Sequence, residues 1–204
     1  MSVEHVEVLV EEPSVEAALR HLLPKLLGDV SFEVYPYQCK EELLARLPQR
    51  LRGYTPWVPQ NWRIVVLVDR DDDDCQQLKQ RLENMAREVG MTTRSTAGAQ
   101  QYTVVNRLAI EELEAWYFGD WEAVLAAYPR VPANVPNKAK FRNPDAIRGG
   151  TWEAFERILQ RATYFRGGLR KIEAARAIAE HWEPARNKSG SFKAFCNVLR
   201  EMAQ

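Results

Sequence analysis

The sequence predicts an α/β domain: a mostly parallel β-sheet flanked by helices, continued by a mainly helical extension. Three observations predict it. Strand-like and helix-like patterns alternate through the first 110 residues, the order of a doubly wound sheet. The run Ile64-Val-Val-Leu-Val68 is aliphatic throughout, as in a strand covered on both faces. Beyond residue 110 only helical spacing remains, and the charge changes sign. Residues 1–129 carry 13 Lys+Arg against 21 Asp+Glu, whereas residues 130–204 carry 15 against 7. An α/β core is expected over residues 1–110, with a basic helical extension over 111–204 packed on it.

Each element has its own warrant. Residues 3–10 alternate, with Val6, Val8 and Val10 on one face and His5 and Glu7 on the other, so they read as a strand. Glu11-Glu12-Pro13 ends it. Ser14 stands at an N-cap position before Val15, Ala18, Leu19, Leu22, Leu23 and Leu26 at helical spacing, and Pro24 is expected to kink or end that helix. Residues 31–37 read as a second strand and 40–52 as a second helix, with Pro48 out of place inside it. A Pro- and Trp-rich loop, 53–62, leads into the aliphatic strand, which stops abruptly at Asp69-Arg-Asp71-Asp-Asp-Asp74. A helix over 75–89 follows, with Gly90 placed to close it. Residues 102–110 suggest a fourth strand. Helical patterns then occupy 111–118, 121–127, 151–161, 169–182 and 191–202, and a loop rich in Pro, Asn and Lys covers 129–150.

Composition excludes several classes. With 46% hydrophobic and 27% charged residues over 204 positions, the chain is ordinary globular material, not disordered, collagen-like or a disulfide scaffold. The longest aliphatic run falls far short of the roughly 20 residues of a membrane helix. Glu4, Glu7, Glu11 and Glu12 among the first valines are unlike a signal peptide. Three scattered cysteines (Cys39, Cys75 and Cys196) without a CxxC suit free thiols in a reducing compartment, so a cytoplasmic location is expected. The charge asymmetry suits either a site needing both metal-binding carboxylates and a polyanion-binding surface, or two halves that attract.

The chemistry gathers at strand ends. In open parallel sheets functional groups collect beyond the carboxyl ends of the strands. Asp69 and Asp71 lie there after the aliphatic strand, and Glu11 and Glu12 lie there after the first. Clustered carboxylates suit a hard cation such as Mg²⁺. Asp72, Asp73 and Asp74 precede a helix and also suit capping, although Asp73 remains a candidate ligand. Glu111 and Glu114 share a helical face, and Glu114 adjoins the apolar Trp116-Tyr117-Phe118, where an unpaired carboxylate is costly. Counted from Asp69, an EF-hand loop would need Gly at the sixth position and Glu at the twelfth, which are Asp74 and Gln80. No nucleotide-binding glycine motif or nucleophile elbow occurs. Asn187-Lys-Ser-Gly-Ser191 is like a phosphate loop in composition only, since no strand precedes it. Lys138, Lys140, Arg142 and Lys171, with aromatic neighbours, are candidates for a nucleic-acid surface.

The order of a glutamate after the first strand, then helix, strand, helix and an aliphatic strand ending in DxD resembles the toprim domain of the topoisomerase–primase superfamily. That superfamily includes nucleases of the overcoming-lysogenisation-defect type. The segments VLVEEPSVEAALRHLLPKLL, RIVVLVDRDDDDCQQLK, AIEELEAWYFGD and NKSGSF more closely resemble a toprim-like bacterial family of unknown function. Its members are often encoded beside ATPases or in defence islands. The toprim resemblance covers about residues 3–110, and the closer one most of the chain. It implies a Rossmann-like fold and a Mg²⁺ (or Mn²⁺) site for phosphodiester chemistry. Glu12, with Glu16 four residues on, matches the family glutamate, with Glu11 as the alternative; Asp69 and Asp71 match the DxD. The glycine that usually follows the glutamate is Pro13 here.

The expectation is a metal-dependent nuclease with Glu12, Asp69 and Asp71 as catalytic ligands, Asp73 as a further ligand, and DNA or RNA as substrate. A partner subunit of an ATPase, without its own catalysis, and a small-molecule phosphatase are the competing expectations.

Overall fold

The computed structural model describes residues 2–204. Four parallel strands, β1 (His5–Val10), β2 (Ser31–Pro36), β3 (Trp62–Asp69) and β4 (Val104–Ala109), form one sheet in the order β2-β1-β3-β4. Helices α1 (Pro13–Leu27), α2 (Lys40–Tyr54) and α3 (Cys75–Glu88) provide the crossovers. From β1 the chain moves to β2 on one side, then returns past β1 to β3 on the other. Strand order therefore reverses between β1 and β3, the position at which a crevice opens beyond the carboxyl ends.

The alternation of strand side chains explains why β3 reads as purely aliphatic. Val65 and Leu67 point into one core with Val6, Val8 and Val10 of β1, while Ile64, Val66 and Val68 point into a second core on the opposite face. The second core is closed by Leu43, Leu47 and Leu51 of α2 and Leu78 and Leu82 of α3. The first is closed by α1 and by the C-terminal half of the chain. That half holds α4 (Leu113–Gly119), α5 (Trp121–Ala127), α6 (Thr151–Arg161), α7 (Lys171–Glu180) and α8 (Gly190–Met202). Trp116, Phe155, Trp182, Phe192 and Phe195 are fully buried in the same cluster as the β1 valines, so the C-terminal helices complete the sheet's hydrophobic cover.

Three local expectations are corrected. Glu12, not Ser14, occupies the N-cap position of α1, and Pro13 begins the helix, where its missing N–H breaks no bond. Pro24 does not end α1, which runs on to Leu27, because buried Leu22, Leu23, Leu26 and Leu27 hold the last turns on the sheet. Pro48 is likewise contained in α2, held by buried Leu47 and Leu51, and the helix continues to Tyr54, shortening the Trp-rich loop. The Pro-rich stretch at 129–150 folds into three short 3-10 turns, Val135–Asn137, Ala139–Phe141 and Pro144–Ala146.

Candidate metal centre

Three strand exits converge on one group of carboxylates. Glu11 follows β1, and its Oε2 accepts the Asp69 backbone N–H at 3.0 Å. Asp69 is the last residue of β3, and its Oδ2 accepts the Leu113 N–H at 3.1 Å at the start of α4. Glu114 is the next residue of α4. Glu11, Asp69 and Glu114 are 7%, 5% and 1% exposed, too buried for three separate free charges.

Their acidities show the cost. Burial pushes Glu11 up to about 7 against the hydrogen bond from Asp69, with Asp71 and Glu12 adding repulsion. Burial, then the charges of Glu11 and Glu114, hold Asp69 well above the usual carboxylate range. Burial raises Glu114 to about 7, and its Oε2 has no hydrogen-bond partner. A buried carboxylate oxygen without a donor calls for a proton or a cation.

Around this core several acids are paired with cations. Glu12 accepts a hydrogen bond from Ser14 Oγ and lies 3.6 Å from Lys171 Nζ. Burial works against the Lys171 ammonium, but Glu114, Glu12 and Asp69 outweigh it and raise its pKa. The Lys171 ammonium lies 5.6 Å from the Trp152 ring centre. Asp71 sits in the left-handed region with φ 49°, and its Oδ2 meets Lys40 Nζ at 2.5 Å. Asp73 meets the same ammonium at 2.8 Å. Burial opposes the charge on Lys40, yet these two acids keep its pKa above the ordinary lysine value. Arg70 pairs with Glu111, which also has positive φ. Glu112 caps α6, accepting the N–H groups of Thr151 and Trp152 at 3.0 and 2.9 Å.

The sequence-derived residues therefore separate. Asp69, Glu11 and Glu114 form the buried centre, with Glu12 beside them at its rim. Glu11 is the deeper of the two adjacent acids. Asp71 and Asp73 form an outer pair on Lys40. Glu16 is elsewhere, paired with Arg20 at 2.9 Å one turn along α1. Lys138, Lys140 and Arg142 lie exposed on the 3-10 loop, whereas Lys171 stands at the carboxylates rather than on that surface. Asp74 caps α3 through the Gln77 N–H at 2.8 Å. The residue that sequence reading missed is Lys40. Its signal was a lysine in the first turn of a helix, where acids are favoured.

Oxygen donors of this kind fit a hard divalent cation. Among the described residues no group of three or more His, Cys, Asp or Glu side chains is arranged to hold a metal ion. The unpartnered oxygen of Glu114 and the repulsion between Glu11 and Asp69 are what a bound cation would relieve. Glu11, Asp69 and Glu114 would hold it. An open cleft of about 750 Å³ lies elsewhere, between β2 and α2, and includes none of these three acids. The loop-like segment at 187–191 has a structural role. The Asp145 carboxylate accepts the Ser191 N–H at 2.9 Å and the Ser189 hydroxyl at 2.6 Å, filling the anion position at the start of α8.

A family model described as Domain of unknown function (DUF4276) matches residues 10–200. No curated protein matches the sequence. Among solved structures, the chain is similar to the C-terminal region of the OLD protein of Xanthomonas campestris pv. campestris. The TM-score is 0.52 at 16% identity, covering 98% of this chain and 92% of that one. It is also similar to the C-terminal region of the OLD protein of Burkholderia pseudomallei, with a TM-score of 0.53 at 14% identity and full coverage of both chains. At such identities the likeness is one of fold.

Proposed function

The chain belongs to the DUF4276 family, and from that premise we propose that it is a Mg²⁺- or Mn²⁺-dependent phosphodiester hydrolase, a nuclease acting on DNA or RNA. The observation that carries this reading is the Glu114 carboxylate, buried near Asp69 with one oxygen unpartnered. A divalent ion held there would supply an activated water and stabilise charge on the phosphoryl oxygens. Glu11 and Asp69 hold their carboxylates in place through the backbone of β3 and the first turn of α4. Glu12, next to Lys171, is placed to take a proton from a water at the rim. Lys171 sets a positive charge beside the acids, where a phosphate would lie. Exposed Lys138, Lys140 and Arg142 suit contacts to a nucleic-acid backbone. The fold shared with OLD C-terminal regions supports a toprim-like assignment. No helix among the described residues is long and apolar enough to cross a membrane.

The test is cleavage of labelled single- and double-stranded DNA and RNA in Mn²⁺ or Mg²⁺. Wild type is compared with Asp69→Asn and Glu114→Gln. Loss of cleavage in both variants, each still unfolding in one cooperative transition, supports the proposal. Equal cleavage by all three proteins overturns it. Hydrolysis of small phosphoesters alone would make the protein a phosphatase. Stable co-purification with an ATPase, with no metal uptake, would make it a partner subunit.

A further inference from the structure

The Lys40 ammonium sits in a cage of four oxygens. Asp71 Oδ2 and Asp73 Oδ2 lie at 2.5 and 2.8 Å, and the backbone carbonyls of Arg70 and Asp69 lie at 3.3 and 3.4 Å. Carboxylates and carbonyls in this mixture are the donors of a hard-cation site. An ammonium has three protons, so its hydrogen-bonding capacity is used up inside the cage. The side chain is only 11% exposed, although both acids are substantially exposed. Lys40 is also the first residue of α2, where a positive charge opposes the helix dipole. Its placement is therefore explained by the cage and not by the helix.

We infer that Lys40 is a resident cation in the outer half of the crevice, so that this chain takes one divalent ion, at Glu11, Asp69 and Glu114, and not two. In the Asp71–Asp73 half the Lys40 ammonium engages both carboxylates and offsets one of their two charges. This inference rests on the proposed metal centre for the single ion, but the cage itself is independent of it. Lys40 acts as a positioning residue. It fixes the loop after β3 to the start of α2 and keeps Asp71 and Asp73 from competing for the ion.

The experiment counts Mn²⁺ bound per chain, by calorimetry and elemental analysis after equilibrium dialysis, in wild type, Lys40→Met and Lys40→Arg. Lys40→Met keeps most of the side-chain length without the charge. One ion in wild type and Lys40→Arg, and two in Lys40→Met, is the expected result. The gained ion should vanish when Asp73→Asn is added to Lys40→Met. Two ions in wild type, or one in wild type and still one in Lys40→Met, would overturn the inference. No ion in wild type but one in Lys40→Met would uphold the resident cation and sink the buried metal centre. No ion in any protein would overturn both. Lys40→Arg separates loss of charge from loss of fold, because a merely structural lysine would not alter ion number.

Discussion

The Glu11 carboxylate accepts the backbone N–H of Asp69 at 3.0 Å, joining the exits of two neighbouring strands through an acid. Asp69 in turn accepts the N–H of Leu113, so one chain of hydrogen bonds runs from β1 through β3 to the helix after β4. The carboxylates at the crevice thus have two duties. They organise backbone at the strand ends, and they gather negative charge in a place with little water. The first duty favours burial. The second makes burial costly in the absence of a counter-charge.

That conflict predicts the pH dependence of the metal-free protein. Glu11 and Glu114 are pushed to about 7 in the folded state, from an ordinary value of 4.5. Between these values the folded protein keeps protons that the unfolded chain has released. The contribution of these two groups therefore makes stability fall as pH rises from about 4.5 to about 7. Thermal melts in a chelator across that window should show a falling Tm, and Glu114→Gln should flatten the fall. A Tm that rises steadily across the window would contradict the burial account of both residues.

Divalent cations should act in the opposite sense. They need the ionised carboxylates, so protons compete with them, and stabilisation by Mn²⁺ should grow as pH passes 7. At a free concentration about 100 times Kd the gain is about 2.7 kcal/mol. For a chain of this size that corresponds to a rise in Tm of about 5–10 °C. Asp69→Asn, whose amide oxygen can still accept the Leu113 N–H, should fold but lose this rise. Scanning calorimetry with and without Mn²⁺ reads both quantities, and an undiminished rise in the variant would remove Asp69 from the metal centre.

How much of this was legible beforehand depends on the kind of information each feature needs. The β3 strand was plain because five consecutive aliphatic residues admit few other readings. Its termination in Asp69 and Asp71 was equally plain. The two prolines misled because local backbone rules were read without the tertiary contacts that hold the last turns of α1 and α2. Glu11 and Glu12 are adjacent, and only the path of the backbone into α1 decides which one turns inward. Lys171 looked like one more member of a basic surface. Its place beside Glu12 depends on α7 packing against α1, a contact between segments about 150 residues apart. Lys40 was missed for the same reason, since its acids lie across the strand order from it. Glu114 was different. Its apolar neighbours showed that an unpaired carboxylate would be costly there, but a solvated helix face read equally well from the sequence; burial is what gives it a raised pKa.

Gly119 provides a test of the packing behind the site. A Cβ on this residue would lie 2.0 Å from Asn187 Oδ1 and 3.1 Å from the Ser189 nitrogen. Asn187 is fully engaged, donating to the Trp116 carbonyl at 2.9 Å and accepting the Ser189 N–H at 2.9 Å. Gly119→Ala must displace that side chain and break two buried hydrogen bonds. The expected loss is about 2–4 kcal/mol in denaturant titrations, with the midpoint moving and the slope unchanged. A loss below about 0.5 kcal/mol would mean that the 187–191 segment shifts freely and does not brace α4.

The strongest effect on stability is expected at Asp120. It is almost fully buried, yet it forms a two-point ion pair with Arg186, at 2.6 and 3.0 Å, and accepts the Glu183 N–H at 3.0 Å. It also accepts the Ala123 N–H at the start of α5. One carboxylate thus ties the α4–α5 junction to the loop between α7 and α8. Asp120→Ala leaves a guanidinium and two amides without their partner. A broken buried pair costs about 3–5 kcal/mol, and partial exposure of Arg186 puts this one near the lower end. Arg186→Ala should cost more than a surface ion pair for the complementary reason, because it strands the buried acid. In a double-mutant cycle the two losses should be strongly non-additive. Additive losses would show that Asp120 acts through its backbone amides alone, and that the loop is held by its hydrophobic contacts and not by charge.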